Sequence, residues 1–251
     1  MTGTRPGLRA ALGAIAALLW ILGFAEVKAQ QRVDLELVLA VDTSSSVSPE
    51  EFELQMRGLS EAFQSPAVLA AIRAAGDLGI AVSLMQWSDN RNQVVAVDWT
   101  LVRDEATAGQ FSERIDGTPR FLVGGSTAIG GALEFAIRQL ERNGYLGRRQ
   151  VIDVSGDGRT NQGIQPDGVR DFAVAQGITV NGLAILNEDA YVDRYYLSSV
   201  IGGTGAFIMT AADYSDFADA ILEKLIKEIV GVPIAAKPVP PGPVLGQIPG
   251  P

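Results

Sequence analysis

Cysteine and histidine are both absent from the 251-residue chain. The first absence excludes disulfide staples, thiolate zinc sites and cysteine nucleophiles. The second excludes a histidine general base, a serine–histidine catalytic pair and imidazole metal ligands. Any metal must therefore be held by oxygen. Positive charge is also in short supply, with 20 Lys and Arg against 29 Asp and Glu and a formal net charge of −9. An acidic surface repels polyanions, which argues against nucleic acid and anionic membrane as partners.

Long hydrophobic runs are scarce. The stretch Ala10 to Ala25 follows Arg5 and Arg9 and precedes the small-residue site Val27-Lys28-Ala29. It falls short of the roughly 20 apolar residues of a spanning helix. The pattern is that of an export signal spanning residues 1–29 and cleaved after Ala29. The expectation is an exported protein, periplasmic or secreted, with no stable membrane insertion once the signal is removed. Cleavage would take out Arg5, Arg9, Lys28 and Glu26 and lower the net charge to −11. At the other end, residues 232–251 hold most of the prolines and few charges. Such a segment lacks backbone donors and any amphipathic period, and is expected to form a disordered tail. Between these ends, residues 30–231 are long enough and apolar enough for one domain with one substantial core.

Within that domain, strand and helix patterns alternate. Val33 to Val41 becomes continuously apolar, as a strand covered on both faces does. Ser48-Pro49-Glu50-Glu51 is a capping box, and Phe52, Met56, Leu59 and Phe63 then share one helical face. Ile80 to Trp87 and Gln93 to Leu101 flank the short loop Ser88 to Asn92, an antiparallel hairpin at a sheet edge. A helix over Asp104 to Ile115 leads to the glycine loop at 124–131. Ile129, Ala132, Leu133, Ala136, Ile137 and Leu140 stripe the helix which that loop opens. The pattern continues with a short strand Gln150 to Val154, a helix Asp167 to Gln176, a strand Ile178 to Leu186, a helical segment Val192 to Val200 and a last strand Ala206 to Met209. A closing helix, capped by Asp213 or Ser215, would bury Phe217, Ile221, Leu225 and Ile229. Trp87, Trp99 and Phe135 are expected in or near the core, and Asp89 and Asn90 in a solvated loop. The fold class is α/β: a doubly wound, mainly parallel six-stranded sheet with one antiparallel edge strand and helices on both faces, Rossmann-like in layout.

Three short motifs carry oxygen ligands at the ends of expected strands or beside them. They are Asp42-Thr43-Ser44-Ser45-Ser46, the loop Gly124-Gly125-Ser126-Thr127, and Ser155-Gly156-Asp157-Gly158. Each alone also fits a capped turn, because Asp and Ser satisfy nearby backbone donors and Gly relaxes tight turns. Together they offer three hydroxyls and two carboxylates, a set suited to a hard divalent cation of the magnesium type. In doubly wound sheets ligands bind beyond the carboxyl ends of the strands, which is where these loops fall.

The order Asp-x-Ser-x-Ser at Asp42, Ser44 and Ser46, then Gly-Gly-Ser-Thr-Ala-Ile-Gly-Gly-Ala-Leu at 124–133, then Ser-Gly-Asp-Gly at 155–158 resembles the metal-ion-dependent adhesion site (MIDAS) of von Willebrand factor type A (VWA) domains. The resemblance extends over about residues 33–231. More narrowly, the chain resembles an exported bacterial VWA-like family of unknown function. It implies a metal site of Asp42, Ser44, Ser46, Thr127 and Asp157, with Ser44, Ser46 and Thr127 binding directly and the two Asp acting mainly through water. The implied cation is Mg2+, with Mn2+ and Ca2+ as alternatives, and the implied partner is a protein presenting Asp or Glu to the metal. It further implies a closing helix that shifts on ligand binding, as in integrin-type members. The third motif departs from many relatives in having Ser155 in place of threonine and a glycine before Asp157.

The reading is thus a binding module rather than an enzyme. The glycine loop lacks the Gly-Lys-Ser/Thr ending and the Gly-x-Gly-x-x-Gly spacing of nucleotide sites. Two alternatives stay open: a metal-assisted hydrolase, and an envelope scaffold in which the metal is purely structural.

Overall fold

The computed structural model describes residues 30–231. The expected signal at 1–29 and the expected proline-rich tail at 232–251 lie outside the described residues. The elements, in chain order, are β1 (Gln31–Asp42), α1 (Pro49–Gln64), α2 (Pro66–Ala75), β2 (Ile80–Trp87), β3 (Gln93–Val102), α3 (Glu105–Asp116) and α4 (Ile129–Glu141). They continue with β4 (Tyr145–Gly156), α5 (Pro166–Ala175), β5 (Ile178–Ile185), the single turn α6 (Val192–Tyr195), a π-helical turn Tyr196–Val200, β6 (Ile208–Ala211) and α7 (Phe217–Val230). Among the described residues no helix is long and apolar enough to cross a membrane.

The six strands lie in the order β3-β2-β1-β4-β5-β6. All neighbours are parallel except β2 and β3, which form the antiparallel edge. The chain leaves β1 on one side to build β2 and β3, then crosses back to place β4 on the other side of β1. The carboxyl ends of β1 and β4 therefore flank the point where strand order reverses, where an α/β sheet opens a crevice.

Burial explains why β1 is continuously apolar from Leu37 to Val41. Leu35, Leu37, Leu39 and Val41 point into a core shared with α1, α2, α3 and α7, while Val38 and Ala40 point into a second core under α4 and α5. Helix α1 starts as the capping box dictates: Ser48 Oγ accepts from Glu51 N, and Glu51 Oε2 accepts from Ser48 N. Its buried face carries Phe52, Met56, Leu59 and Phe63. Phe63 meets Phe111 of α3 edge-on at 4.8 Å between centroids. Trp87 is fully buried, and Trp99 and Phe135 pack partly buried against the second core.

Several local expectations need correction. Helix α2 was not expected. Its signals, Ser65 as N-cap and Pro66 in the first turn, follow directly on the end of α1 and merge with that helix's pattern. Strand β4 begins at Tyr145 rather than Gln150, because its polar first half pairs with Gln31 to Glu36 of β1 while its side chains stay partly in solvent. The segment expected as one helix over 192–200 is one α turn followed by a π turn. In the latter Ile201 N reaches Tyr196 O at 3.0 Å. Strand β6 lies at 208–211 rather than 206–209. Neither Asp213 nor Ser215 caps α7. Asp216 holds the cap position without a side-chain bond, and Asp213 Oδ1 is engaged by Ser215 N and Oγ.

The Phe63–Phe111 pair sits at the centre of the first core with no exposure. Phe111→Ala is expected to lower unfolding free energy by about 3–5 kcal/mol, measurable by denaturant titration. A loss below about 1 kcal/mol would mean that α3 contributes little to this core.

Candidate metal centre

The end of β1 runs directly into the first motif. Asp42 is fully buried, and its Oδ1 accepts from Ser44 N at 2.7 Å, while its Oδ2 has no hydrogen-bond partner. The backbone then turns so that Ser44 Oγ and Ser46 Oγ stand 3.1 Å apart. Ser46 Oγ donates to Asp157 Oδ1 at 2.7 Å, across 111 residues of sequence. Four of the five expected ligand residues are thus linked in one chain: Asp42, Ser44, Ser46, Asp157.

Thr127 enters from a different side. Its backbone exchanges hydrogen bonds with Asn161, Thr127 N donating to Asn161 Oδ1 and Asn161 N donating to Thr127 O, each at 2.9 Å. Its Oγ1 lies 3.5 Å from the position a Cβ on Gly158 would take, so it faces the residue that follows Asp157. The glycine loop is laced to the first motif: Gly125 N donates to Ser45 Oγ and Ser45 N to Gly125 O. Gly124 and Gly125 have φ of 73° and 107°. A side chain there would be strained, and at Gly125 it would also stand 3.0 Å from Ser88 Oγ.

Sequence reasoning missed several groups that hold this arrangement. Tyr214 OH donates to Asp157 Oδ2 at 3.2 Å, and Gln55 Nε2 donates to Asp42 O. Arg120 Nη2 donates to Thr43 O and Ser44 O, bracing the first loop from behind. Tyr196, fully buried in the π turn, brings its hydroxyl beside Asp42: a Cβ on Gly156 would meet both Asp42 Oδ2 and Tyr196 OH at 2.8 Å. The glycine before Asp157 therefore leaves room for that carboxylate and that phenol. Nothing in the local sequence around Tyr196 or Tyr214 marks them, since both are far from the motifs and reach them only through the fold.

Burial dominates the electrostatics of the two acids, with Arg120 only partly offsetting it at Asp42. Burial, and next the nearby Asp157 charge, push the Asp42 pKa up to about 7 from 3.8. The same desolvation raises Asp157, against the pull of the Ser46 and Tyr214 hydrogen bonds. Burial also raises Tyr196 and Tyr214, so both stay protonated and can donate but not accept protons at neutral pH. Among the described residues no three acidic side chains gather to hold an ion by themselves. A cation here would depend on the hydroxyls. Two carboxylates, one with a buried unpartnered oxygen, and three small hydroxyls suit a hard divalent ion.

A family model described as "Protein of unknown function (DUF1194)" matches residues 32–233. No curated protein matches the sequence. Among solved structures, proximal thread matrix protein 1 from the mussel byssus is similar with a TM-score of 0.61 and 18% identity, over 80% of this chain and 49% of that one. A second structure of that protein, described as having a zinc-occupied MIDAS motif, gives 0.54 and 16%, over 79% and 46%. The vWF domain of the type V pili tip protein Mfa5 from Porphyromonas gingivalis gives 0.54 and 13%, over 78% and 95%. The chain spans about half the length of the mussel protein. At these identities the likeness establishes the fold, which is that of VWA domains.

In the metal-free protein the folded state keeps a proton on Asp42 up to about pH 7, while an unfolded chain releases it near 3.8. The folded pKa is the higher of the two. The stabilisation from this proton is therefore complete below 3.8 and is lost as pH rises through 7. Metal-free protein is expected to melt at a lower temperature at pH 8 than at pH 6. Asp42→Asn, which keeps the shape and cannot ionise, should shrink that difference. Scanning calorimetry of both proteins checks this, and an unchanged difference in the variant would place the titrating group elsewhere.

Proposed function

The chain belongs to the family described as proteins of unknown function (DUF1194), and from that membership and the geometry of its site we propose that it is an exported binding module. Asp42, Ser44, Ser46, Thr127 and Asp157 would hold a divalent cation, with magnesium as the expected ion, and a partner protein would present Asp or Glu to it. Residues 30–231 would form the working domain, after removal of residues 1–29 and ahead of a tail at 232–251. The observation that carries this reading is the unpartnered Oδ2 of fully buried Asp42, two residues from the Ser44–Ser46–Asp157 hydrogen-bonded chain. A buried carboxylate oxygen without a donor is costly, and a cation is one group that would satisfy it.

Bound magnesium would supply a Lewis-acidic position open to a carboxylate. The chain's own residues set up the rest. Ser44 and Ser46 present hydroxyls from alternate positions of one turn, and Thr127 adds a third from the glycine loop. Asp157 is steadied by Ser46 and Tyr214. The phenols beside the two carboxylates have raised pKa values and do not serve as bases. The mussel and pilus-tip proteins of the same fold are in keeping with a binding role, and one of them is described with zinc in the corresponding motif.

Calorimetric titration with magnesium, together with crosslinking to partners in the exporting cell, tests the proposal. Asp42→Ala and Thr127→Ala should each weaken cation affinity by about 10–100-fold and abolish chelator-sensitive crosslinks. Magnesium binding with no cation-dependent partner would favour the structural-scaffold reading. Phosphatase or nuclease turnover lost in Asp42→Ala would favour a hydrolase. No cation binding by the wild type would defeat all three.

A further inference from the structure

A second group of buried ionisable side chains lies between the sheet and α7, apart from the site above. Lys224 of α7 is fully buried, and its Nζ stands 2.5 Å from Asp153 Oδ1 of β4 and 2.6 Å from Glu228 Oε1, one helical turn further on. Asn181 of β5 donates through Nδ2 to the same Glu228 oxygen at 2.9 Å. Asn181 is in turn held by Phe207 N. The Phe207 ring closes the group, with Lys224 Nζ 5.9 Å and Lys227 Nζ 3.9 Å from its centroid. Asp153, Lys224 and Glu228 are each at most 2% exposed.

This is an unusual set. One ammonium contacts two buried carboxylates, with the Arg149 guanidinium donating to the Glu228 backbone carbonyl nearby, and Asp153 Oδ2 and Glu228 Oε2 have no hydrogen-bond partner. Burial and the neighbouring Asp153 charge raise Glu228 well above the usual carboxylate range, so it readily takes up a proton. An amine, the carboxyl group it touches and a second carboxyl placed to shuttle protons are the three components of amide formation. The fold holds the amine 2.5 Å from Asp153 Oδ1 and 2.6 Å from Glu228 Oε1, so little translational freedom is left to lose on reaction.

We infer that Lys224 and Asp153 condense to an intramolecular amide that ties α7 covalently to β4, with Glu228 as the proton shuttle. One proton of the Lys224 ammonium passes to the Asp153 carboxylate, and the freed nitrogen lone pair attacks Asp153 Cγ. Glu228, protonated at the start, gives its proton to the departing Asp153 oxygen and takes a second proton from the nitrogen in exchange. The Nζ–Cγ bond forms, a Cγ–O bond breaks, one water leaves and Glu228 ends as it began. No oxidant, metal or cofactor enters the balance. The product removes two charges from the core.

Denaturing mass spectrometry of the purified full chain, with tryptic mapping, tests this. The wild type is expected to be lighter than its sequence by one water, with Asp153 and Lys224 in one branched peptide that trypsin does not cut after Lys224. Lys224→Met is expected to show the full sequence mass. Glu228→Gln, which keeps the side-chain volume but cannot shuttle the proton, is expected to remain largely uncondensed while retaining a native circular dichroism spectrum. Full sequence mass and separate linear peptides in the wild type would overturn the crosslink and leave an ion pair. Complete condensation in Glu228→Gln would overturn the shuttle. Neither result depends on cation binding at Asp42.

Discussion

The structure turns on one constraint: the central strand ends in a carboxylate that the fold buries with no ion-pair contact among the described residues. β1 lies between β2 and β4 and is covered by helices on both faces, so its second half is apolar from Leu37 to Val41 and the polar group at its end is buried with it. Asp42 meets this with one backbone donor and one unpartnered oxygen. The neighbouring loops are arranged around that deficit. The 124–127 loop is tied to Ser45, Arg120 braces the carbonyls of Thr43 and Ser44, and Asp157 is held by Ser46 and Tyr214 rather than by a basic side chain. Burial is the main reason that both acids are raised; the Asp157 charge adds to it at Asp42 and Arg120 partly offsets it.

The parts of this arrangement legible in the sequence are those written in consecutive residues. Asp42, Ser44 and Ser46 share one turn, and their spacing puts them together whatever the rest of the chain does. The strand periodicity placed Asp157 and Thr127 in loops at the same sheet edge, and the structure joins Asp157 to Ser46 directly. Tyr196, Tyr214, Asn161 and Arg120 were illegible because each reaches the site by a long-range packing decision. A tyrosine in an amphipathic segment reads as core until the register of its helix is known. The π turn that brings the Tyr196 hydroxyl beside Asp42 has no local signature that separates it from an ordinary helical turn.

Element boundaries failed for a related reason. Hydrophobic pattern identifies what is buried, so it found the apolar half of β4 and lost the polar half, whose place is set by pairing with β1 and not by its own side chains. Helix α2 was lost between two strong signals, because its cap residue also terminates α1. The buried Lys224 and Glu228 were hidden differently. At i,i+4 on a helix they read as a solvent-facing pair, and only Asp153 and Asn181 on the strands beneath show that this face points inward.

These two buried groupings meet on β4 and bear on how α7 can behave. Asp157 at the strand's end is linked through Tyr214 to the segment that leads into α7, while Asp153, four residues earlier, contacts Lys224 within α7. The far end of the helix is held as well, with Arg149 Nη1 and Nη2 donating to Glu228 O and Ile229 O. A sliding α7, which the resemblance to integrin-type members would imply, must separate the buried Lys224–Asp153 contact. Separating such a pair leaves uncompensated charge that costs about 3–5 kcal/mol, and a covalent bond there would forbid it outright. A change at Asp157 can therefore reach Tyr214 and the first turn of α7, but the anchored middle and end of the helix oppose its spread. A cation held as proposed at Asp42 and Asp157 would therefore sit on a fixed frame, and a response to a partner would be confined to the loops at the carboxyl edge of the sheet.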